Sequence, residues 1–320
     1  MRSSLAGLGR SVLAAMFVAV LAIPAAAQVS LRDAFDSDGD DKADYYIFRP
    51  ENNRWYILRS GGTIRQQDWG VANEDWMVPG DYDGDGIGDI AVWRETTGAW
   101  YRIFSTTNTF TIHIWGVPGD QPIARDYDGD GKTDMAVVRR TGGNMIWYLF
   151  YSSTNGFEAR QFGLATDYTA PGDYDGDGKF DLAVQRPGAT GTSQSTFYIQ
   201  TTTAFTVIPF GQSNDLVAPG DWDGDGKTDI AVVREGSTPT SNLTWYVRKS
   251  SDSQMTIFTW GVTGTDLLAQ NDYDGDGKTE YGIWRNSDGK FYVFNPVNGN
   301  FNVINWGQPN DFPIASYDTH

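Results

Sequence analysis

Short apolar runs recur along this chain and stop before a helical period can establish itself. Ile90-Ala91-Val92-Trp93-Arg94, Met135 to Arg139, Leu182 to Arg186 and Ile230 to Arg234 each end in an arginine. Their length and their β-branched and aromatic content predict strands. After each comes a polar turn rich in Gly, Asn, Ser and Thr, and then a run carrying an aromatic pair. The pairs are Trp55-Tyr56, Trp100-Tyr101, Trp147-Tyr148, Phe197-Tyr198, Trp245-Tyr246 and Phe291-Tyr292. A third run ends in an aromatic followed by glycine: Trp69-Gly70, Trp115-Gly116, Phe162-Gly163, Phe210-Gly211, Trp260-Gly261 and Trp306-Gly307. A fourth, short stretch such as Val78-Pro79-Gly80 or Ala218-Pro219-Gly220 leads into an aspartate-rich loop.

That loop gives the period. Copies start at Asp36, Asp81, Asp126, Asp173, Asp221 and Asp272, with intervals of 45, 45, 47, 48 and 51 residues. A decayed seventh copy is visible as Ser316-Tyr317-Asp318. Four strands in each period of this length predict one propeller blade. The expected fold is therefore all-β: a propeller of six four-stranded blades in a single domain over residues 28–320. Both Leu31 to Phe35 and Phe312 to Tyr317 read as first strands, which leaves one strand over. It closes the ring by overlap or pairs with a neighbouring molecule, as an unpaired edge can. A seven-bladed ring would need three further strands that the chain lacks. The aromatics that recur at one register are expected to pack blade against blade.

Within each loop, acidic side chains stand at positions 1, 3, 5 and 9. These are Asp36, Asp38, Asp40 and Asp44; Asp81, Asp83, Asp85 and Asp89; Asp126, Asp128, Asp130 and Asp134; Asp173, Asp175, Asp177 and Asp181; Asp221, Asp223, Asp225 and Asp229; and Asp272, Asp274, Asp276 and Glu280. Position 7 can add a backbone carbonyl, from Lys42, Ile87, Lys132, Lys179, Lys227 and Lys278 in turn. Glycine at position 6 permits the sharp turn that brings these oxygens together. Calcium takes six to eight hard oxygen ligands, and this donor set with water supplies them. Two carboxylates about 4 Å apart repel by roughly 4 kcal/mol at an effective dielectric near 20, so the loops are expected to splay without a cation. The helical EF-hand is excluded, because the position of its bidentate glutamate holds Ile47, Val92, Val137, Val184, Val232 and Ile283. Two copies depart from the pattern, with Asp41 for glycine at position 6 and Glu280 for aspartate at position 9. Those two sites are expected to be the weakest or least regular.

Charge and composition narrow the setting. Arg2 and Arg10 precede the apolar run Ser11 to Ile23, which ends in Ala25-Ala26-Ala27. This reads as a secretory signal peptide over residues 1–27 and predicts an exported protein, extracellular, at the cell surface or periplasmic. The run falls short of the roughly 20 residues that a spanning helix needs. Without the signal, 22 basic residues face 41 acidic ones, a net of −19, which disfavours nucleic acid and anionic lipid. Twenty-four of those acids stand at positions 1, 3, 5 and 9 of the six loops. There is no cysteine, so disulfides and thiolate metal sites are excluded.

An aromatic-glycine pair, a Gly-Ala-Pro-like approach and a D-x-D-x-D-G-x-x-D loop resemble the FG-GAP repeat of integrin α-subunit propellers. They are equally similar to the VCBS repeats of bacterial secreted proteins. The resemblance covers nearly all of the chain after residue 27. It implies that each loop joins the first and second strands of a blade, and that the carboxylates at positions 1, 3, 5 and 9 ligate calcium. It does not fix a function, because a fold hosts many. Only His113 and His320 are present, and no serine-centred elbow or zinc motif appears. The acids are largely committed to calcium, so a non-catalytic binding or adhesion scaffold for an extracellular protein or glycan is expected. A lectin-like carbohydrate binder is the alternative; a polysaccharide-active enzyme or a subunit of an extracellular polymer ranks below it. Alternating strand direction would put the loops on one face of the disc. Two long polar turns, Pro187 to Thr196 and Glu235 to Thr244, would lie on the other, the candidate binding surface.

Overall fold

The computed structural model describes residues 34–315. Six antiparallel four-stranded sheets form six blades. In blade two the innermost strand is Asp75–Met77, followed by Ile90–Arg94, Ala99–Ile103 and the outer strand Phe110–Ile114. The later blades repeat this order. The short innermost strands lie slightly upstream of the stretches expected from sequence, at Asp75–Met77 rather than at Val78-Pro79-Gly80. Beyond the innermost strand in blades two to six a single bridge, Gly80 to Asp89 in blade two, holds the base of the loop.

The ring closes by overlap. Phe312–Pro313 is the innermost strand of blade one and pairs with Tyr45–Arg49, Ile47 opposite Pro313 and Phe48 opposite Phe312. Ile314 then donates its N–H to Tyr46 O at 3.0 Å. The expectation of a strand at Leu31 to Phe35 is corrected for its described end, because Ala34 and Phe35 form a 3-10 turn. Phe35 is buried there, and its carbonyl accepts the Asp44 N–H at 2.8 Å. The signal segment and the Ser316-Tyr317-Asp318 copy lie outside the described residues. Among the described residues no helix is long and apolar enough to cross a membrane.

The recurring aromatics are core. Trp55, Trp100, Trp147, Phe197, Trp245 and Phe291 are at most 1% exposed. The tryptophans before the glycines bridge blades: the indole N–H groups of Trp69, Trp115, Trp260 and Trp306 donate at 3.2 Å to the carbonyls of Tyr101, Tyr148, Tyr292 and Tyr56 in the next blade. The last of these joins blade six to blade one. Phe162 has no such donor and meets Phe205 of the next blade edge to face at 6.4 Å.

A second recurring unit ties each blade to its entry turn. The arginine at the fifth position of the second strand grips a buried aspartate with two parallel N–H bonds: Arg94 on Asp75, Arg139 on Asp120, Arg186 on Asp167, Arg234 on Asp215, Arg285 on Asp266 and Arg49 on Asp311. Each guanidinium also lies over a tyrosine ring, as Arg139 does over Tyr148 at 4.5 Å. The glycine after each aromatic has positive φ, 104° at Gly116, and so turns the chain to aim the Val117 N–H at Asp120. Asp120→Ala is expected to cost about 3 kcal/mol, the low end for a broken buried pair because the Arg139 side chain is 31% exposed. Urea midpoints of the two proteins would measure it, and an unchanged midpoint would refute it.

Candidate metal centres

In blades two to six the aspartate loop joins the innermost strand to the second; in blade one it leads into the second strand, the innermost coming from Phe312–Pro313, and all six loops lie on one face. Position 1 organises the turn. In blade two Asp81 accepts the N–H of Gly84 at 2.6 Å and of Gly86 at 2.8 Å, and both glycines have φ of 81°. The same two bonds recur at Asp126, Asp173, Asp221 and Asp272. In blade one they come from Gly39 and Asp41, and Asp41 itself adopts φ of 64°. Aspartate tolerates this left-handed backbone better than most residues, so the departure at position 6 leaves the turn intact.

Position 9 is the deepest. Asp44, Asp89, Asp134, Asp181, Asp229 and Glu280 are at most 4% exposed. One carboxylate oxygen of each accepts the position-2 N–H at 2.7–2.9 Å. In four blades the other accepts an N–H from the turn between the third and outer strands, from Ser60, Ser105, Ser152 and Ser250 at 2.6–2.8 Å. Burial raises these carboxyls: Asp44 to about 6, Asp89, Asp134 and Asp229 to about 7, Asp181 to about 8 and Glu280 to about 9. The neighbouring loop carboxylates add to the rise.

Carboxylate oxygens gather within 4.8 Å of one another. Positions 1, 3 and 5 meet in the first two loops, positions 1, 3 and 9 at Asp126 and Asp173, and all four acids at Asp272, Asp274, Asp276 and Glu280. Glu280, expected to mark the weakest or least regular site, still reaches the Tyr273 N–H at 2.7 Å and joins the cluster. The donor set fits a hard divalent cation on a separate observation. Asp83 Oδ1, Asp175 Oδ1 and Asp223 Oδ1 are buried and have no hydrogen-bond partner. An orphaned buried carboxylate oxygen is costly unless a cation meets it, and oxygens at positions 1, 3, 5, 7 and 9 suit calcium.

Two features escaped the sequence reading. The turn between the third and outer strands presents a hydroxyl or amide to the loop: Ser105 to Asp85 at 2.9 Å, Ser152 to Asp130 at 2.8 Å, Thr202 to Asp177 at 2.8 Å and Ser250 to Asp225 at 2.8 Å. Asn295 fills the place in blade six, reaching Asp274. The loops are also bonded to one another. The position-8 N–H donates to the position-1 carbonyl of the preceding loop: Gly88 to Asp36, Thr133 to Asp81, Phe180 to Asp126, Thr228 to Asp173, Thr279 to Asp221 and, across the closure, Ala43 to Asp272, all at 2.6–2.8 Å. The position-7 side chain lies across the preceding position-4 glycine, so a Cβ on Gly84 would sit 2.7 Å from Lys132 Cε. Lys132 Nζ also donates to Asp83 O at 2.8 Å. The six loops thus form one closed circuit.

Sheets and loops together define a six-bladed β-propeller with an aspartate loop before the second strand of every blade. The chain carries an FG-GAP-like repeat, whose family model matches residues 126–184, and the same loop recurs in all six blades. No curated protein matches the sequence. Among solved structures, AofleA from Arthrobotrys oligospora is similar over 92% of each chain, at 11% identity and a TM-score of 0.50. A functionally unknown protein from Desulfotomaculum acetoxidans is similar over 82% of this chain and 78% of its own, at 11% identity and a TM-score of 0.44. A virginiamycin B lyase from Staphylococcus aureus is similar over 85% of this chain and 86% of its own, at 12% identity and a TM-score of 0.45. These likenesses concern fold alone.

Proposed function

We propose that this is an exported β-propeller held together by six calcium ions, acting as a non-catalytic binding or adhesion scaffold outside the cell. The observation that carries the reading is the closed circuit of loops with its orphaned buried carboxylate oxygens. Each ion would be held by the carboxylates at positions 1, 3, 5 and 9 and the carbonyl at position 7, and it would neutralise groups that burial otherwise drives toward protonation. The distribution of acids supports a non-catalytic role. Twenty-five lie in the loops and six more are held bidentately by the blade arginines, which leaves 10 of 41 for everything else. The face opposite the loops is the binding surface, because that is where the long turns rise, over residues 187–193 and 235–241 rather than to Thr196 and Thr244, since Gln194–Gln200 and Asn242–Arg248 are strands.

Elemental analysis of protein dialysed against about 1 mM calcium, roughly tenfold above a Kd of about 10⁻⁴ M, is expected to find between five and six ions per chain above the buffer. Asp175→Asn with Asp177→Asn is expected to lower the count by one while the fold persists. A count near zero in calcium-saturated wild-type protein would defeat the reading. A glycan array run in calcium then separates a sugar ligand from a protein one.

A further inference from the structure

The face opposite the calcium loops opens into a cavity on the propeller axis with a volume near 780 Å³. Its floor follows from the blade pattern. One residue after each arginine-bound aspartate, the innermost strand turns a side chain to the axis, and Gln121, Tyr168, Leu216, Leu267 and Phe312 line the cavity. Tyr168, Leu216, Leu267 and Phe312 are 52%, 42%, 41% and 48% exposed. Four large apolar side chains half exposed in one concave place call for something to cover them. The volume suits one small molecule, since pockets for such ligands run from about 300 to 1,000 Å³.

The two long turns back the wall on one side. Gly188 donates its N–H to Ser213 Oγ at 2.7 Å, and Asn214 donates to Gly191 O at 3.1 Å. Gly236 donates to Thr263 Oγ1 at 2.8 Å, and a Cβ on Gly264 would lie 3.2 Å from Pro239. Ser213, Asn214 and Gly264 line the cavity, so the turns brace its rim.

Charge selects the ligand. Asp167, Asp215 and Asp266 reach the lining, but each is held bidentately by its own arginine. Arg140 differs from those arginines. Its guanidinium donates to Gln121 Oε1 at 2.7 Å and to the Asp167 carbonyl at 3.2 Å, both neutral acceptors, and among the described residues no carboxylate pairs with it. Glu235 lies in the lining on blade five, two blades away. We infer that the axial cavity binds a small amphipathic anion: an apolar ring or short chain on the Tyr168–Leu216–Leu267–Phe312 floor, with its carboxylate, sulfonate or phosphate on Arg140. Repulsion from Glu235 would turn the anionic end toward blade three.

The inference deepens the scaffold reading and rests on it for the choice of face, so calcium content is measured on the same samples to keep the two failures apart. The probe is 8-anilinonaphthalene-1-sulfonate, an aromatic body with one fixed anion, titrated by fluorescence into calcium-loaded protein. One saturable site is expected. Leu216→Asp with Leu267→Asp should weaken it at least about tenfold, as expected for charge placed against an apolar ligand. Arg140→Gln, at an exposed side chain that folding does not need, should weaken it about tenfold, the range for a lost charge-assisted bond. Phe110→Ser, at an apolar patch on the outer rim, should leave it unchanged. Should the floor variant misfold, Arg140→Gln alone decides. Unaltered binding in Arg140→Gln, several equivalent sites, loss of the site in Phe110→Ser, or no binding by protein that carries its calcium would each overturn the inference.

Discussion

Stripping calcium with a chelator near neutral pH is expected to lower the melting temperature by roughly 20 °C. With Kd of about 10⁻⁴ M and calcium about tenfold higher, linkage contributes roughly 1.4 kcal/mol per site. Six sites contribute about 8 kcal/mol, comparable with the whole stability of an ordinary domain, and about 2–4 °C per kcal/mol applies at this size. The effect is also pH-dependent with a definite sign. The position-9 carboxyls have folded values raised to between about 6 and about 9 in the metal-free protein. An unfolded carboxyl titrates near 4, so the metal-free fold binds more protons than the unfolded chain between about pH 4 and pH 9. Its stability therefore falls as pH rises through that window. Calcium competes with those protons, so the gap between calcium-loaded and chelated melting temperatures should be small near pH 5 and widest near pH 8. Scanning calorimetry across that range would show it, and a gap that narrows with rising pH would contradict the assignment.

Truncation before Asp311 is expected to cost at least about 5 kcal/mol and to broaden the unfolding transition. It removes the Phe312–Pro313 strand, the 3%-exposed Ile314 and the partner of Arg49. Burying an isoleucine is worth about 2 kcal/mol, and a broken buried pair costs about 3–5 kcal/mol. Without them blade one keeps three strands and the circuit of loops loses the support of its closing blade. Urea unfolding followed by tryptophan fluorescence would report the loss, and a truncated chain with an unchanged midpoint would show that the overlap strand is dispensable.

Blade number, strand order and the four loop acids were legible because they repeat, and because Gly and Asp at fixed offsets have few other uses. Much of what joins the blades was not. The arginine-bound aspartates stand 19 residues before their arginines in five blades, a constant spacing present in the sequence. They carry no signal of their own because they stand at or just before the start of the short innermost strands, in polar stretches where aspartate is ordinary. The position-8 to position-1 bonds join main-chain atoms of different blades, and no side-chain motif records them. Ser105, Ser152, Thr202 and Ser250 looked like common turn residues until the fold placed them over the loops. Closure could not be assigned to one end of the chain, since Leu31 to Phe35 and Phe312 to Tyr317 carry the same strand signal; the pairing with Tyr45–Arg49 decides it for Phe312.

Having all the loops on one side makes the disc an electrical dipole. Twenty-four carboxylates crowd that side, and six divalent ions would cancel only half of their charge, while the cavity side carries three aspartates matched by arginines and one further charge of each sign, Glu235 and Arg140. Near a polyanionic envelope such as an acidic capsule, the molecule would stand off with its aspartate side outward. The neutral mouth of the axis would then face the envelope, oriented by long-range field before any contact is made.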